Sequence, residues 1–103
     1  MAEPVVEIEV EIQNAEGLHM RPAMQFVDLA GRFASSVTVS NNDVSADAKS
    51  IMQMTMLAAG RGSRLRIRAE GADAALAVEA LKELAEKILS SSESRPAESK
   101  KEG

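Results

Sequence analysis

Residue 19 is the only histidine in this 103-residue sequence, and it stands in Gly17-Leu18-His19-Met20-Arg21-Pro22-Ala23, just ahead of a stretch with helical periodicity. A lone imidazole is a weak nucleophile and base, and most isolated histidines do no chemistry. Here the setting changes the expectation. A helix N-terminus presents unpaired backbone N–H groups and a partial positive charge, which together hold an anion such as phosphate. Arg21 adds a guanidinium whose fork fits phosphate oxygens. The same field favours the neutral ring, whose free nitrogen can attack phosphorus. A phosphorylated imidazole is a good leaving group, suited to transfer rather than storage, and catalysis of such transfer is mostly positioning and electrostatics. The sequence has no triad pattern, metal-ligating cluster or Gly-rich nucleotide loop. A partner must therefore supply the phosphoryl group, and neither a metal nor a cofactor is expected.

The elements that must position this segment follow from periodicity. Val6, Ile8, Val10 and Ile12 alternate with Glu7, Glu9, Glu11 and Gln13, which predicts a half-buried strand over Val5 to Gln13. Asn14 to Gly17 break the alternation. Ala23, Phe26, Val27, Ala30 and Phe33 fall at helical spacing and predict a helix over Arg21 to Phe33, with Pro22 near its start. Val37 and Val39, the turn-forming Asn41-Asn42-Asp43 and a weak strand over Val44 to Ala48 predict a hairpin. Ser50 then opens an uncharged stretch that reads as a short helix ending at Gly60 or Gly62, with Met54 and Met56 as core filler. Leu65, Ile67 and Ala69 alternate with Arg64, Arg66 and Arg68 in a fourth strand. Asp73 is placed to cap a last helix carrying the stripe Ala77, Ala80, Leu81, Leu84, Ala85 and Ile88.

The order β-α-β-β-α-β-α predicts an α+β fold, an open-faced β-sandwich whose four-stranded antiparallel sheet carries three helices on one face. The Glu7, Glu9, Glu11 row and the Arg64, Arg66, Arg68 row would then share the open face, which predicts that the first and fourth strands are neighbours. Residues 1–89 read as one domain. Residues 90–103 hold Ser, Glu, Lys, Pro and Gly and almost nothing apolar, so they read as a disordered tail.

Composition excludes other function classes. The formal net charge of -4 argues against a nucleic-acid partner. The same element order also describes RNA-binding domains, but those stack bases on strand aromatics, and the only aromatics here, Phe26 and Phe33, lie outside the strands. With no cysteine, disulfides and thiolate metal sites are ruled out. The longest uncharged run, Ser50 to Gly60, is about half the length that spans a bilayer. Met1 to Pro4 lack the marks of a secretion signal, so a cytoplasmic monomer that does not insert in a membrane is expected.

Three motifs, Gly17-Leu18-His19-x-Arg21-Pro22-Ala23, Ala48-Lys49-Ser50-Ile51-Met52 and Ala69-Glu70-Gly71-x-Asp73, occur in an order and at a spacing that resemble the HPr family, the histidine-containing phosphocarriers of the bacterial phosphoenolpyruvate-dependent phosphotransferase system. The resemblance spans about residues 5 to 89. It implies that enzyme I, using phosphoenolpyruvate, phosphorylates His19 on Nδ1 with help from Arg21, and that the group passes to enzyme IIA components in sugar uptake. It implies that Ser50 is a regulatory phosphorylation site for HPr kinase/phosphorylase, although a serine there is also an ordinary N-cap worth about 1 kcal/mol. It further implies that Met20, Ile51 and Met52 serve partner docking, as an adaptable apolar patch would. An alternative within the family is a regulatory paralogue in nitrogen or carbon control without a transport role. The Ala58-Ala59-Gly60-Arg61-Gly62-Ser63 stretch looks somewhat like members from organisms with incomplete transport systems. Glu16 departs from the family, which often has a neutral residue there. Its carboxylate either opposes the incoming phosphate and favours the charged ring, or points to water.

Overall fold

The strict alternation of the first and fourth strands places one apolar row of each against the helices. The structure, a computed structural model, describes residues 3–89, so the expected tail at 90–103 lies outside the described residues. The elements run β1 (Val5–Glu11), α1 (Met20–Ala30), β2 (Ser36–Asn41), β3 (Val44–Asp47), α2 (Ile51–Thr55), β4 (Arg64–Glu70) and α3 (Ala74–Ile88). The sheet is antiparallel in the order β1-β4-β2-β3. Its inner face presents Val37, Val39, Leu65, Ile67 and Ala69 to Ala23, Phe26, Met54, Ala77, Leu81 and Ala85 of the helices, and all of these are buried. With only two aromatic residues, the core is filled around Phe26 by aliphatic side chains and Met54. Burying each of the larger ones contributes about 1.5–3 kcal/mol.

As the charge rows predict, β1 and β4 are neighbours, in a register that sets Glu7 opposite Arg68 and Glu9 opposite Arg66. The ion pairs themselves are diagonal: Arg66 Nε lies 2.9 Å from Glu7 Oε2 and Arg64 Nη1 lies 3.7 Å from Glu9 Oε1, while Arg68 turns to Glu70 on its own strand. Long arginine stems reach the diagonal neighbour easily. All of these groups are largely exposed, so each pair contributes at most about 1 kcal/mol.

Several boundaries differ from the sequence expectation, each for a local reason. β1 ends at Glu11 because its partner strand begins at Arg64; Ile12 beyond it still donates to Ser63 O at 2.9 Å. α1 ends at Ala30, and a tighter turn, in which Phe33 N–H donates to Ala30 O, carries Phe33 back against the core. α2 stops at Thr55, well short of Gly60. Met56 and Leu57 continue in three-residue turns, and Ala58 then takes φ 50°, the left-handed conformation that ends helices. Met56 is thereby thrown to solvent at 70% exposure, so of the two methionines only Met54 fills the core.

Asp73 also does something other than cap its helix. Its side chain makes no cap bond to α3. Instead Oδ2 accepts from the Ala34 N–H at 2.9 Å, and Oδ1 accepts from the Ser35 N–H at 2.9 Å and from the Ser35 hydroxyl. The carboxylate thus ties the α1–β2 connection to the β4–α3 connection. Gly71 makes room for this, because a Cβ there would lie 2.5 Å from Ser35 Oγ. The Ser35 hydroxyl, followed by the Ala34 amide, holds the Asp73 carboxyl below the ordinary carboxylate range, against the opposing effect of burial. A depressed folded value stabilises the fold above the unfolded carboxylate's titration and loses that stabilisation as pH falls through the folded one. Asp73→Asn should therefore lower the urea midpoint at neutral pH, with a deficit that shrinks as the solution is acidified; a deficit independent of pH would refute this role.

Candidate functional site

Sequence places His19 at a helix start, and the structure shows how the backbone fixes it there. His19 is the N-cap of α1, in extended conformation (φ -92°, ψ -171°), and its carbonyl accepts from the Ala23 N–H at 3.0 Å. Its backbone N–H donates to Gly17 O at 3.1 Å, and its side chain makes no cap bond, so the ring is left free. Pro22, third in the helix, has no N–H to satisfy. Among the described residues the N–H groups of Met20 and Arg21 have no acceptor, so the helix mouth offers two unspent donors.

The loop before His19 is tied at three places. Gln13 and Asn14 donate through their N–H groups to Leu89 O, just past the end of α3, at 2.8 and 3.2 Å. The Asn14 side-chain amide donates to Gly17 O at 3.1 Å. Leu18 is buried, and its N–H donates to Ala59 O at 2.9 Å. Gly17 takes φ 70° and sits against the same turn, where a Cβ would lie 2.5 Å from Ala59 O. Periodicity assigns no role to Asn14 or Ala59. An Asn-x-x-Gly loop before a helix was the available signal for the first, whereas nothing local marks Ala59.

His19, Met20 and Arg21 line one open cleft of about 1040 Å³, together with Glu16, Asp28 and Ile88. The His19 side chain is 44% exposed, and Arg21 is exposed with no carboxylate within salt-bridge distance among the described residues. Glu16 Oε1 lies 3.9 Å from His19 Nε2 although the Glu16 side chain is 77% exposed. The carboxylate is thus in water, as one of the sequence alternatives has it, and it also faces the ring. At this separation the contact is Coulombic and not a hydrogen bond.

Ser50, Ile51 and Met52 lie outside that cleft, on α2, which packs against α1. Ser50 is the N-cap of α2, half-buried, and its hydroxyl accepts from the Gln53 N–H at 3.3 Å. Ile51 is half-buried against the core, whereas Met52 is 77% exposed. Met20 and Met24 on α1 and Met56 after α2 are exposed too, so the two neighbouring helices present methionines to solvent.

A family model described as the PTS HPr component phosphorylation site matches residues 6–87. The chain belongs to the HPr family. The phosphocarrier protein HPr of Pseudomonas aeruginosa is 46% identical to it over 78 residues, 75% of this chain and 87% of the relative. The phosphocarrier protein NPr of Proteus mirabilis is 42% identical over 73 residues, 70% of this chain and 81% of the relative. The crystal structure of HPr-C-His from Thermoanaerobacter tengcongensis matches with a TM-score of 0.76 at 39% identity, covering 80% of this chain and 92% of that one. HPr proteins are phosphocarriers of the phosphotransferase system: they hand a group on between partners of that system, so this chain is a carrier and not an enzyme. Their sheet of four antiparallel strands with three helices is the fold described above. No helix among the described residues is long and apolar enough to cross a membrane.

Proposed function

We propose that His19 is the phosphoryl acceptor, that phosphorylated enzyme I is its donor, and that enzyme IIA components receive the group in phosphoenolpyruvate-dependent sugar uptake in the cytoplasm. One observation carries the reading: an exposed imidazole with no side-chain bond stands at a helix mouth that keeps two unspent N–H donors and an unpaired guanidinium. Glu16 faces Nε2, which favours the tautomer with its proton on that nitrogen and leaves the Nδ1 lone pair to attack phosphorus. As the N–P bond forms, the bond from phosphorus to the donor breaks. The Met20 and Arg21 amides and the Arg21 fork then meet the phosphoryl oxygens; each such charge-assisted bond contributes about 1.5–3 kcal/mol. Residues 1–89 form the carrier domain in this reading, acting as a monomer. Incubation with enzyme I and phosphoenolpyruvate should give an acid-labile, alkali-stable adduct on residue 19.

The carboxylate facing the ring sets a penalty on the phosphorylated form. Like charges a few ångströms apart in water-like surroundings repel by about 1 kcal/mol. Glu16→Gln should therefore shift the phosphoryl equilibrium with enzyme I toward this protein by about twofold to fivefold. The shift should vanish at high salt, and its absence at low salt would refute the electrostatic role.

Met20, Ile51 and Met52 are proposed as docking residues, supported by the exposure of Met20 in the His19 cleft and of Met52 on α2, the helix packed against α1. Ser50 is proposed as a regulatory site for HPr kinase/phosphorylase. A phosphate there adds nearly two negative charges, which a helix N-terminus tolerates and an apolar docking surface does not. Ser50→Asp should slow phosphoryl acceptance from enzyme I by about tenfold with little change in Tm. An unchanged rate would remove the regulatory role. A second reading, a regulatory paralogue without a transport role, is favoured by the NPr relative, which matches nearly as well as the HPr ones. Purified enzyme IIA components of the sugar and nitrogen branches, offered the phosphorylated protein, would separate the two.

A further inference from the structure

The sequence carries a net charge of -4, yet three of its arginines converge on one cleft at the far side of the molecule from the helices. This cleft, of about 550 Å³, lies on the open face of the sheet, where β4 begins beside the turn that joins β2 to β3. Arg61, Arg64 and Arg66 line it with Ser40, Asn42 and Ser63. Glu9 is the one carboxylate in its wall. Every cation present is an arginine, the side chain whose planar fork matches phosphate oxygens.

The ion pairs there leave most of that capacity unused. Among the described residues no carboxylate lies within 4 Å of Arg61. Arg64 Nη1 is 3.7 Å from Glu9, beyond hydrogen-bond reach, and Arg66 Nε lies 2.9 Å from Glu7 Oε2. The side chains of Asn42 and Ser63 form no hydrogen bond with other described side or main chains, and Asn42 is held at φ 56° in the turn. Neutral donors therefore accompany the charged ones.

We infer that this cleft binds a small anion bearing two linked phosphate groups. Two phosphates match two unspent guanidiniums plus neutral donors better than a single carboxylate does. A long polyanion is disfavoured by the net negative charge of the chain, and a nucleobase finds no aromatic to stack on, since Phe26 is buried in the core and Phe33 is packed against it. The site shares no lining residue with the His19 cleft. The turn over residues 59–62 reaches toward both: Arg61 and Gly62 line this cleft, while Ala59 O accepts from the Leu18 N–H next to His19.

The test is titration of the full chain with inorganic pyrophosphate at low ionic strength, followed by the amide shifts of Asn42, Gly62, Ser63 and Arg64. Saturable shifts at these amides are expected, weaker with inorganic phosphate and absent with acetate. Arg61→Gln should weaken binding by about tenfold or more, the loss expected for one charge-assisted contact. Lys87→Gln, which removes the same charge from the end of α3, should leave binding unchanged, and so should His19→Ala. Shifts that do not saturate, shifts at Met20 and Arg21 alone, or equal weakening by Lys87→Gln would overturn the proposal. Because His19→Ala is expected to keep this site, its failure and the failure of the carrier reading are told apart.

Discussion

His19→Ala is expected to lose phosphoryl acceptance from enzyme I completely while keeping the fold. The first half follows from residue types: the sequence holds no second histidine and no cysteine, so no other imidazole and no thiol can take its place. The second half follows from the structure. The His19 side chain makes no cap bond and is 44% exposed, so its removal leaves no buried cavity and no orphaned partner. Tm should move by no more than about 4 °C, as for a surface change within about 0.5 kcal/mol. The measurement is radiolabel transfer from phosphoenolpyruvate through enzyme I, with the adduct tested for acid lability. An acid-labile adduct that survives in His19→Ala would refute the acceptor assignment, and lost amide-proton shift dispersion would refute the claim that the ring is structurally idle.

Gly17→Ala is expected to have the largest effect on stability of any single methyl group added near the site. At φ 70° an L side chain is strained, and its Cβ would lie 2.5 Å from Ala59 O and 2.8 Å from Gly60 Cα, both backbone atoms that cannot rotate away. Strain and overpacking together cost about 2–4 kcal/mol. In a domain of this size that lowers Tm by about 10–25 °C. The turn over residues 59–62 can recede only by breaking the Leu18 N–H bond to Ala59 O, which anchors the residue before His19. Phosphoryl acceptance should fall with stability even at temperatures where the variant is folded. Gly62→Ala is the contrast: φ is 91°, but the space around its Cβ is open, so only strain of about 1 kcal/mol remains. Equal effects of the two substitutions, read by thermal unfolding, would show that the close approach to Ala59 is unimportant.

Much of the fold is legible from spacing alone. The period of two in Val6 to Ile12 and Leu65 to Ala69, and the helical period after Arg21 and after Asp73, report which face of each segment meets the core. The opposing Glu and Arg rows even report that β1 and β4 are neighbours. The placement of His19 and Arg21 at the mouth of α1 is likewise readable, because histidine, arginine and a helix start are adjacent in the chain. What spacing could not report are the ends of elements. Nothing in Met54-Thr55-Met56-Leu57-Ala58 forbids helix, and α2 stops at Thr55 because the turn must bring Leu57 and Ala59 into the core. Asp73 illustrates the same limit. Its position suits an N-cap, but its carboxylate goes to Ala34 and Ser35, far back in the chain, once the fold has brought them within reach.

The sequence by itself determined the element order, the inward and outward faces, and an imidazole beside a guanidinium at a helix mouth, because each of these depends on residues within a turn or two of one another. Only the tertiary structure decided that Ala59 buttresses Gly17, that Leu89 holds the loop before His19, that Glu16 faces the ring, and that Arg61 joins Arg64 and Arg66 around a cleft. Periodicity is a property of the local chain. A hydrogen bond or a cleft between distant segments exists only after the sheet has closed and set the register, and no run of adjacent residues encodes it.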